Sequence, residues 1–144
     1  MVEKRYDWAG GAVLEDHTRR KHKILREYFF QYLRVRCQLP AQERFRLAII
    51  DGFAGGGRYS CGSPGSSLVF IEELKRSSEA VNLRRAAAGL GPIEVECLLI
   101  LNDADAATIE LLKANVAPLH GELKDTTKGL HLRIEYLSEA FETA

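Results

Sequence analysis

The sequence predicts an α/β fold in which a helix precedes a doubly wound parallel sheet. Three observations lead to this prediction. Apolar runs alternate with helical patterns, a glycine-dense turn follows the first apolar run, and the second run is almost continuously apolar over 93–101. Strands that alternate with helices form parallel sheets through right-handed crossovers. A continuous apolar strand is typical of a strand that is covered on both faces.

The first predicted element is a helix that begins near Asp16 or Thr18 and ends before Pro40. The residues before about 16 are irregular and are broken by Gly10-Gly11. Apolar side chains then recur at spacings of three and four, as on one face of a helix. These side chains are Ile24, Leu25, Tyr28, Phe29, Tyr32 and Leu33. The opposite face is basic and carries Arg19, Arg20, Lys23, Arg26 and Arg34.

A strand, a helix and a second strand follow this first helix. The run FRLAII over 45–50 predicts the first strand, which ends at the glycine-dense turn. A helix is expected over 66–88, because Pro64 precedes this segment and Gly89 follows it. The second strand covers 93–101.

A third helix and a third strand complete the predicted order. Asp105 is suited to cap a helix over about 106–116, which Pro118 is expected to close. A polar loop that contains His120 then leads to alternating apolar residues from Leu130 to Tyr136, the third strand.

The predicted elements divide the chain into a helical segment, 1–44, and a sheet region, 45–144. A doubly wound fold needs further strands on the other side of its first strand, and the sequence predicts no fourth strand. We therefore expect 45–144 to be the N-terminal half of a longer domain.

Composition and charge favour an ordinary globular protein. The 144 residues are 46% hydrophobic and 28% charged, which excludes collagen-like, low-complexity and disordered classes. Neither a membrane span of about 18 apolar residues nor a signal-like N-terminus is found, so we expect a cytoplasmic protein without membrane association. Residues 1–50 contain 11 Lys and Arg against 6 Asp and Glu. This basic segment is either a solvated helix face or a surface that attracts nucleic acid.

The three cysteines do not form a recognisable metal or disulfide pattern. Cys37, Cys61 and Cys97 are widely spaced and include no C-x-x-C pair, so neither a zinc site nor a disulfide framework is expected. Cys97 lies in an apolar strand pattern and is expected in the core. Cys61 lies in a Gly/Ser loop, where it is either a reactive thiol or a bystander.

The strongest functional signal is the glycine turn Asp51-Gly52-Phe53-Ala54-Gly55-Gly56-Gly57, directly after the first strand. Doubly wound folds bind ligands beyond the carboxyl ends of their strands, where glycine permits close approach and positive φ. A phosphate loop would end in Gly-Lys-Ser/Thr, but Arg58-Tyr59 follows here. A dinucleotide fingerprint needs glycine where Ser60 stands. Both of these alternatives are disfavoured.

A second signal, Asn102-Asp103-Ala104-Asp105, follows the second strand. A carboxylate at this edge of the sheet accepts hydrogen bonds from the hydroxyl groups of a ribose. Asp103 is the candidate for this role, whereas Asp105 is assigned to the helix cap. The alternative is a pair of solvated acids at the end of a strand.

Together these features resemble S-adenosylmethionine-dependent methyltransferases of the Rossmann type, and more specifically the three-Cys-motif partner family of bacterial proteins. The similarity covers about residues 8–70. Its matching pieces are His17-Thr18, Lys21, Ile24-Leu25, Tyr28, Ile50–Tyr59 and Gly62-Ser63-Pro64. The family commonly has proline where Gly56 stands. Its name refers to a cysteine motif in a partner protein, so the cysteines of this chain are not that motif.

The resemblance implies a metal-free site that binds S-adenosylmethionine. The expected cofactor-binding residues are Asp51, Gly52, Phe53, Ala54, Gly55, Gly57 and Asp103, with Ser138 or Glu139 near the adenine. No catalytic residue is assigned, since the Asn/Asp-Pro-Pro-aromatic run of amino-methyltransferases is absent from these residues and is expected beyond residue 144. Two functions remain open. One is a methyltransferase that acts on nucleic acid, and the other is a non-catalytic Rossmann-scaffold module that binds another protein, such as a three-Cys-motif protein.

Overall fold

Three helices and a three-stranded parallel sheet make up the part of the chain that the computed structural model describes, which is Trp8 and residues 16–140 without the side chain of His17. The elements are α1 (Asp16–Arg36), β1 (Arg44–Asp51), α2 (Ser66–Ala87), β2 (Glu94–Asn102), α3 (Ala106–Thr126) and β3 (Leu130–Leu137). The predicted Rossmann-like α/β class, with a helix before the first strand, is confirmed. The Gly10-Gly11 break, the start of the predicted domain 1–44 and the end of the predicted domain 45–144 lie outside the described residues.

The strands lie in the order β1-β2-β3 and all pairs are parallel. Leu98 of β2 is in register with Ala48 of β1 and with Arg133 of β3. The carboxyl ends of the three strands therefore meet at one edge, where loops carry ligand sites in such sheets. Within residues 16–140 no fourth strand pairs with the outer edge of β1.

One face of the sheet packs against the helices and the other face is open among the described residues. Val95, Cys97, Leu99 and Leu101 of β2 are buried in the core, as expected for Cys97. The prediction that β2 is covered on both faces is wrong, because the residues that alternate with these four are exposed or only half-buried. No described element lies over that second face.

Helix α1 packs against α2 and the start of β1 through aromatic side chains. Phe29 meets Phe70 edge to face with ring centroids 6.1 Å apart, and Tyr32 lies 6.1 Å from Phe45. Arg26 adds hydrogen bonds to Glu72 at 3.0 Å and to Glu73 at 3.2 Å. These contacts hold α1 beside the beginning of α2, close to the glycine turn.

The predicted end of the third helix at Pro118 is wrong, because α3 continues through this proline to Thr126. A proline inside a helix removes one N–H donor and costs about 3 kcal/mol. The buried side chains of Val116 and Leu123 anchor the helix on both sides of the proline, and their burial outweighs that cost. His120 consequently lies in α3 rather than in a loop, with Nε2 2.8 Å from the Leu132 carbonyl oxygen.

Arg85, near the end of α2, holds the connections at the opposite edge of the sheet. Its guanidinium is buried, and its five N–H groups donate to carbonyl oxygens at 2.8–3.2 Å. The accepting carbonyls belong to Cys37, Leu39, Pro40, Gln42 and Gly91. A single side chain thus ties the α1–β1 connection to the α2–β2 connection.

Candidate functional site

The glycine turn lies against the carboxyl end of β2. The Ala54 N–H donates to the Asn102 carbonyl oxygen at 2.8 Å, and Ala54 is buried. Gly55 and Gly57 have φ of +67° and +93°, so the expectation of positive φ in this turn is confirmed. Only glycine adopts such angles without strain.

Close packing is a second reason for the glycines of the turn. A Cβ atom at Gly55 would collide with the indole of Trp8. One at Gly56 would come within 2.8 Å of the Trp8 Cβ and 2.9 Å of Leu111 Cδ2. One at Gly57 would lie 3.1 Å from the Cβ of Asn115. The turn is therefore enclosed by Trp8 on one side and by α3 on another.

Asp103 and the glycine turn, the two separate signals of the sequence, meet in the structure. The Gly55 N–H donates to Asp103 Oδ2 at 3.2 Å, and the Asp105 N–H donates to Asp103 Oδ1 at 3.0 Å. These bonds orient a half-buried carboxylate. Since each carboxylate oxygen has two acceptor positions, capacity for further hydroxyl donors remains.

Asp51 links the end of β1 to the beginning of α2. Its Oδ2 accepts a 2.6 Å hydrogen bond from the Ser66 hydroxyl, and its Oδ1 accepts from the Phe53 N–H at 3.3 Å. The ring of Phe53 is 68% exposed at the rim of the turn. Asp51 thus sets the path of the chain into and out of the turn.

Asn102 and Asn115 brace the turn, and neither was assigned a role from the sequence. Asn102 is 1% exposed, and its Nδ2 donates to the carbonyl oxygens of Gly52 at 3.1 Å and Glu139 at 2.8 Å. Asn115 Nδ2 donates to the Gly56 carbonyl at 2.6 Å. An amide that ends an apolar strand is the only local sign of such a brace in the sequence.

Ser138 follows the last residue of β3 and is exposed at the same edge of the sheet. The Asp103 N–H donates to the Leu137 carbonyl at 3.3 Å, and the Glu139 N–H donates to Asn102 Oδ1 at 2.9 Å. These two backbone bonds hold the segment that contains Ser138 beside the end of β2. The other expected site residues lie on the same edge.

An aromatic cluster beside the turn was also missed by the sequence interpretation. Tyr59 is buried, with its ring centroid 4.8 Å from that of Trp8 and 6.2 Å from that of His22. Burial lowers the pKa of His22 below its ordinary value of 6.5, Arg26 acts in the same direction, and Asp51 opposes them. Together these effects favour the neutral imidazole of His22. No helical periodicity distinguishes His22 from its basic neighbours.

The three cysteines are free thiols in different environments. Burial raises the pKa of Cys97 to about 12 and that of Cys37 to about 11. A hydrogen bond with Ser63 lowers the pKa of the exposed Cys61. Within the described residues no group of three His, Cys, Asp or Glu side chains is arranged to hold a metal ion.

Comparison with known proteins does not identify the chain. No protein-family model, no curated protein and no solved structure matches it. Within the part of the chain that is described, no helix has the length and apolar character needed to cross a membrane. The function of the site is therefore inferred from its geometry and from the resemblance in its motifs.

Proposed function

We propose that the chain binds S-adenosylmethionine at the glycine turn and Asp103, as a methyltransferase similar to the three-Cys-motif partner family. The observation that carries the proposal is the 3.2 Å contact between the Gly55 N–H and Asp103 Oδ2. It brings a half-buried carboxylate suited to ribose hydroxyls beside the glycine turn, at the carboxyl edge of the sheet. Adenosine cofactors occupy this edge of doubly wound sheets.

Each residue of the site has a role in this proposal. Asp103 accepts hydrogen bonds from the ribose hydroxyls with its remaining lone pairs. Asp51 lies toward the positively charged end of the cofactor, and the backbone of 52–57 lines its methionine part. Ser138 lies toward the adenine. The cofactor supplies an activated methyl group, and the chain contributes chiefly proximity and orientation.

Calorimetric titration with S-adenosylmethionine tests the proposal. Asp103→Ala is expected to weaken binding by about 1–3 kcal/mol, or about 5- to 150-fold, because hydrogen bonds to a charged group are lost. Asp105→Ala is the matched control. Asp105 caps α3 but does not contact the glycine turn, so this variant should bind S-adenosylmethionine with unchanged affinity. If Asp103→Ala binds S-adenosylmethionine as tightly as the unchanged protein does, Asp103 is not part of the site. If the unchanged protein does not bind S-adenosylmethionine, the proposed cofactor is wrong.

The alternative function, a module that binds another protein, is favoured by a second surface. Ile24 and Tyr28 of α1 are each 66% exposed, and Val35 is 57% exposed. Residues at these spacings share one helix face, and exposed apolar side chains in contiguous patches indicate protein contacts. We propose this apolar face of α1 as the contact for a three-Cys-motif protein.

Binding of a purified three-Cys-motif protein tests this alternative. Ile24→Asp combined with Tyr28→Asp should abolish binding if the apolar face of α1 is the contact. Leu83→Asp on α2 is the matched control, because Leu83 is 73% exposed on a different helix. Equal binding of both variants would exclude this face.

The proposal also includes nucleic acid as the acceptor, contacted by the basic residues of α1. Arg20 and Lys23 are exposed, and in the sequence they stand on either side of His22, which borders the aromatic cluster of the site. Replacing both with glutamine should reduce the slope of log affinity against log salt for duplex DNA by about 2. An unchanged slope would exclude this contact.

We further propose a cytoplasmic location. Cys37, Cys61 and Cys97 are all free thiols, as in reducing compartments.

A further inference from the structure

Asn102, the last residue of β2, bonds to both segments that flank it at the carboxyl edge of the sheet. Its Nδ2 donates to the carbonyl oxygen of Gly52 in the glycine turn at 3.1 Å and to that of Glu139 at 2.8 Å. Its Oδ1 accepts from the Glu139 N–H at 2.9 Å. One amide group therefore bonds to the backbone of two segments that are far apart in the sequence.

The surroundings of Asn102 keep this amide in place. Asn102 is 1% exposed, so a lost bond would leave a buried polar group without a partner. Backbone bonds hold the same end of β2 on both sides. The Ala54 N–H donates to the Asn102 carbonyl at 2.8 Å, and the Asp103 N–H donates to the Leu137 carbonyl at 3.3 Å. The amide and these backbone bonds together set the spacing between the glycine turn, the end of β2 and the segment after β3.

This spacing determines which side chains a single ligand can contact. Asp103 directly follows Asn102 and is half-buried, whereas Ser138 directly precedes Glu139 and is exposed. Each of these two side chains of the proposed site therefore lies one residue from an end of the Asn102–Glu139 pair. A displacement of about 1 Å between groups that hold the same ligand is enough to weaken their combined action strongly.

We propose that Asn102 is a positioning residue of the cofactor site, which holds Asp103 and Ser138 at the spacing that one adenosine group spans. The inference rests on the proposed function and deepens it, because it explains how two loops contribute to one ligand site. Asn102 acts through its neighbours and does not itself touch the ligand. Its loss should therefore weaken ligand binding in a protein that is still folded.

Calorimetry with S-adenosylmethionine tests the inference on Asn102→Asp. This variant keeps the size of the side chain and an acceptor for the Glu139 N–H, but it loses one donor as a carboxylic acid and both donors as a carboxylate. A negative charge would by itself attract the positive sulfonium ligand, so weaker binding reports lost positioning. We expect binding to be about tenfold weaker or more. Asn102→Leu, which removes all the bonds of the amide at similar size, should bind at least as weakly.

Asn82→Asp is the matched control, because Asn82 makes the same kind of reciprocal pair with the backbone. Its Nδ2 donates to the Ile93 carbonyl at 3.2 Å, and its Oδ1 accepts from the Ile93 N–H at 2.8 Å. Ile93 precedes β2 and lies about 30 Å from Asn102 along the strand. Asn82→Asp should lower the melting temperature as Asn102→Asp does, but its affinity for S-adenosylmethionine should stay within about twofold of that of the unchanged protein.

Hydrogen exchange without ligand separates lost positioning from lost stability. In Asn102→Asp the N–H groups of Ala54 and Glu139 should exchange faster than in Asn82→Asp, because both segments are released locally. If Asn102→Asp binds as tightly as the unchanged protein, or loses no more affinity than Asn82→Asp, the inference is wrong and the proposed function still stands. Equal exchange in the two variants would also contradict it. If the unchanged protein does not bind S-adenosylmethionine, the proposed function is wrong and the inference fails with it.

Discussion

Replacing Arg85 with methionine should destabilise the fold substantially. Arg85 is 5% exposed and donates five hydrogen bonds to backbone carbonyls of two connections that are far apart in sequence. Methionine fills a similar apolar volume but donates no hydrogen bond. The substitution therefore leaves the α1–β1 connection without its tie to α2.

The size of the effect depends on which carbonyls water can reach after the change. Leu39, Pro40 and Gly91 are exposed residues, so water can replace the guanidinium at their carbonyls at modest cost. Cys37 is 1% exposed and Gln42 is half-buried. An unsatisfied buried acceptor costs about 1–3 kcal/mol. With one or two such acceptors, the free energy of unfolding should fall by about 2–4 kcal/mol.

Urea denaturation followed by circular dichroism measures this loss. Arg84→Met is the matched control, because Arg84 is an exposed neighbour on the same helix. Arg85→Lys, with three donors instead of five, should lie between the two. Thermal melts should show a decrease of about 2–4 °C per kcal/mol for a domain of this size. If Arg85→Met unfolds within about 1 kcal/mol of Arg84→Met, the carbonyl network does not stabilise the fold as argued.

Three further changes have predictable outcomes. Gly55→Ala should lower the melting temperature more than Gly62→Ala; both have positive φ, but only at Gly55 does a Cβ meet a tryptophan ring. Equal losses would mean that backbone strain alone matters. Pro118→Ala should stabilise the protein by about 1–3 kcal/mol in urea denaturation, since it restores a helical N–H, and a destabilised variant would contradict this. Iodoacetamide at pH 8 should alkylate Cys61, whose lowered pKa provides more thiolate, well before Cys97, whose pKa is about 12. Mass spectrometry of the native protein measures the order of alkylation, and earlier alkylation of Cys97 would contradict this prediction.

The sequence by itself determined the order of the elements and the position of the glycine turn. These features depend on local properties, such as hydrophobic periodicity, helix capping and backbone conformation, which involve only a few neighbouring residues. The alternation of apolar runs with helical patterns corresponds to β1, α2, β2 and β3 within one or two residues at each end. Asp105 caps α3 by accepting from the Ala107 N–H at 3.1 Å, as predicted. Capping and positive φ are short-range properties, so their residue types are visible in the sequence.

Only the tertiary structure decided which distant residues meet. The hydrogen bond from Gly55 to Asp103 spans 48 residues, and Trp8 and His22 reach the turn from the N-terminal part of the chain. Pro118 also shows that tertiary contacts decide the outcome: it is a strong local signal to end the helix, but core packing overrides it. Contacts of this kind are selected by burial and hydrogen bonding across the whole fold, whereas periodicity reports only on neighbours along one element. The residues that brace and surround the site could therefore not be assigned before the chain was folded.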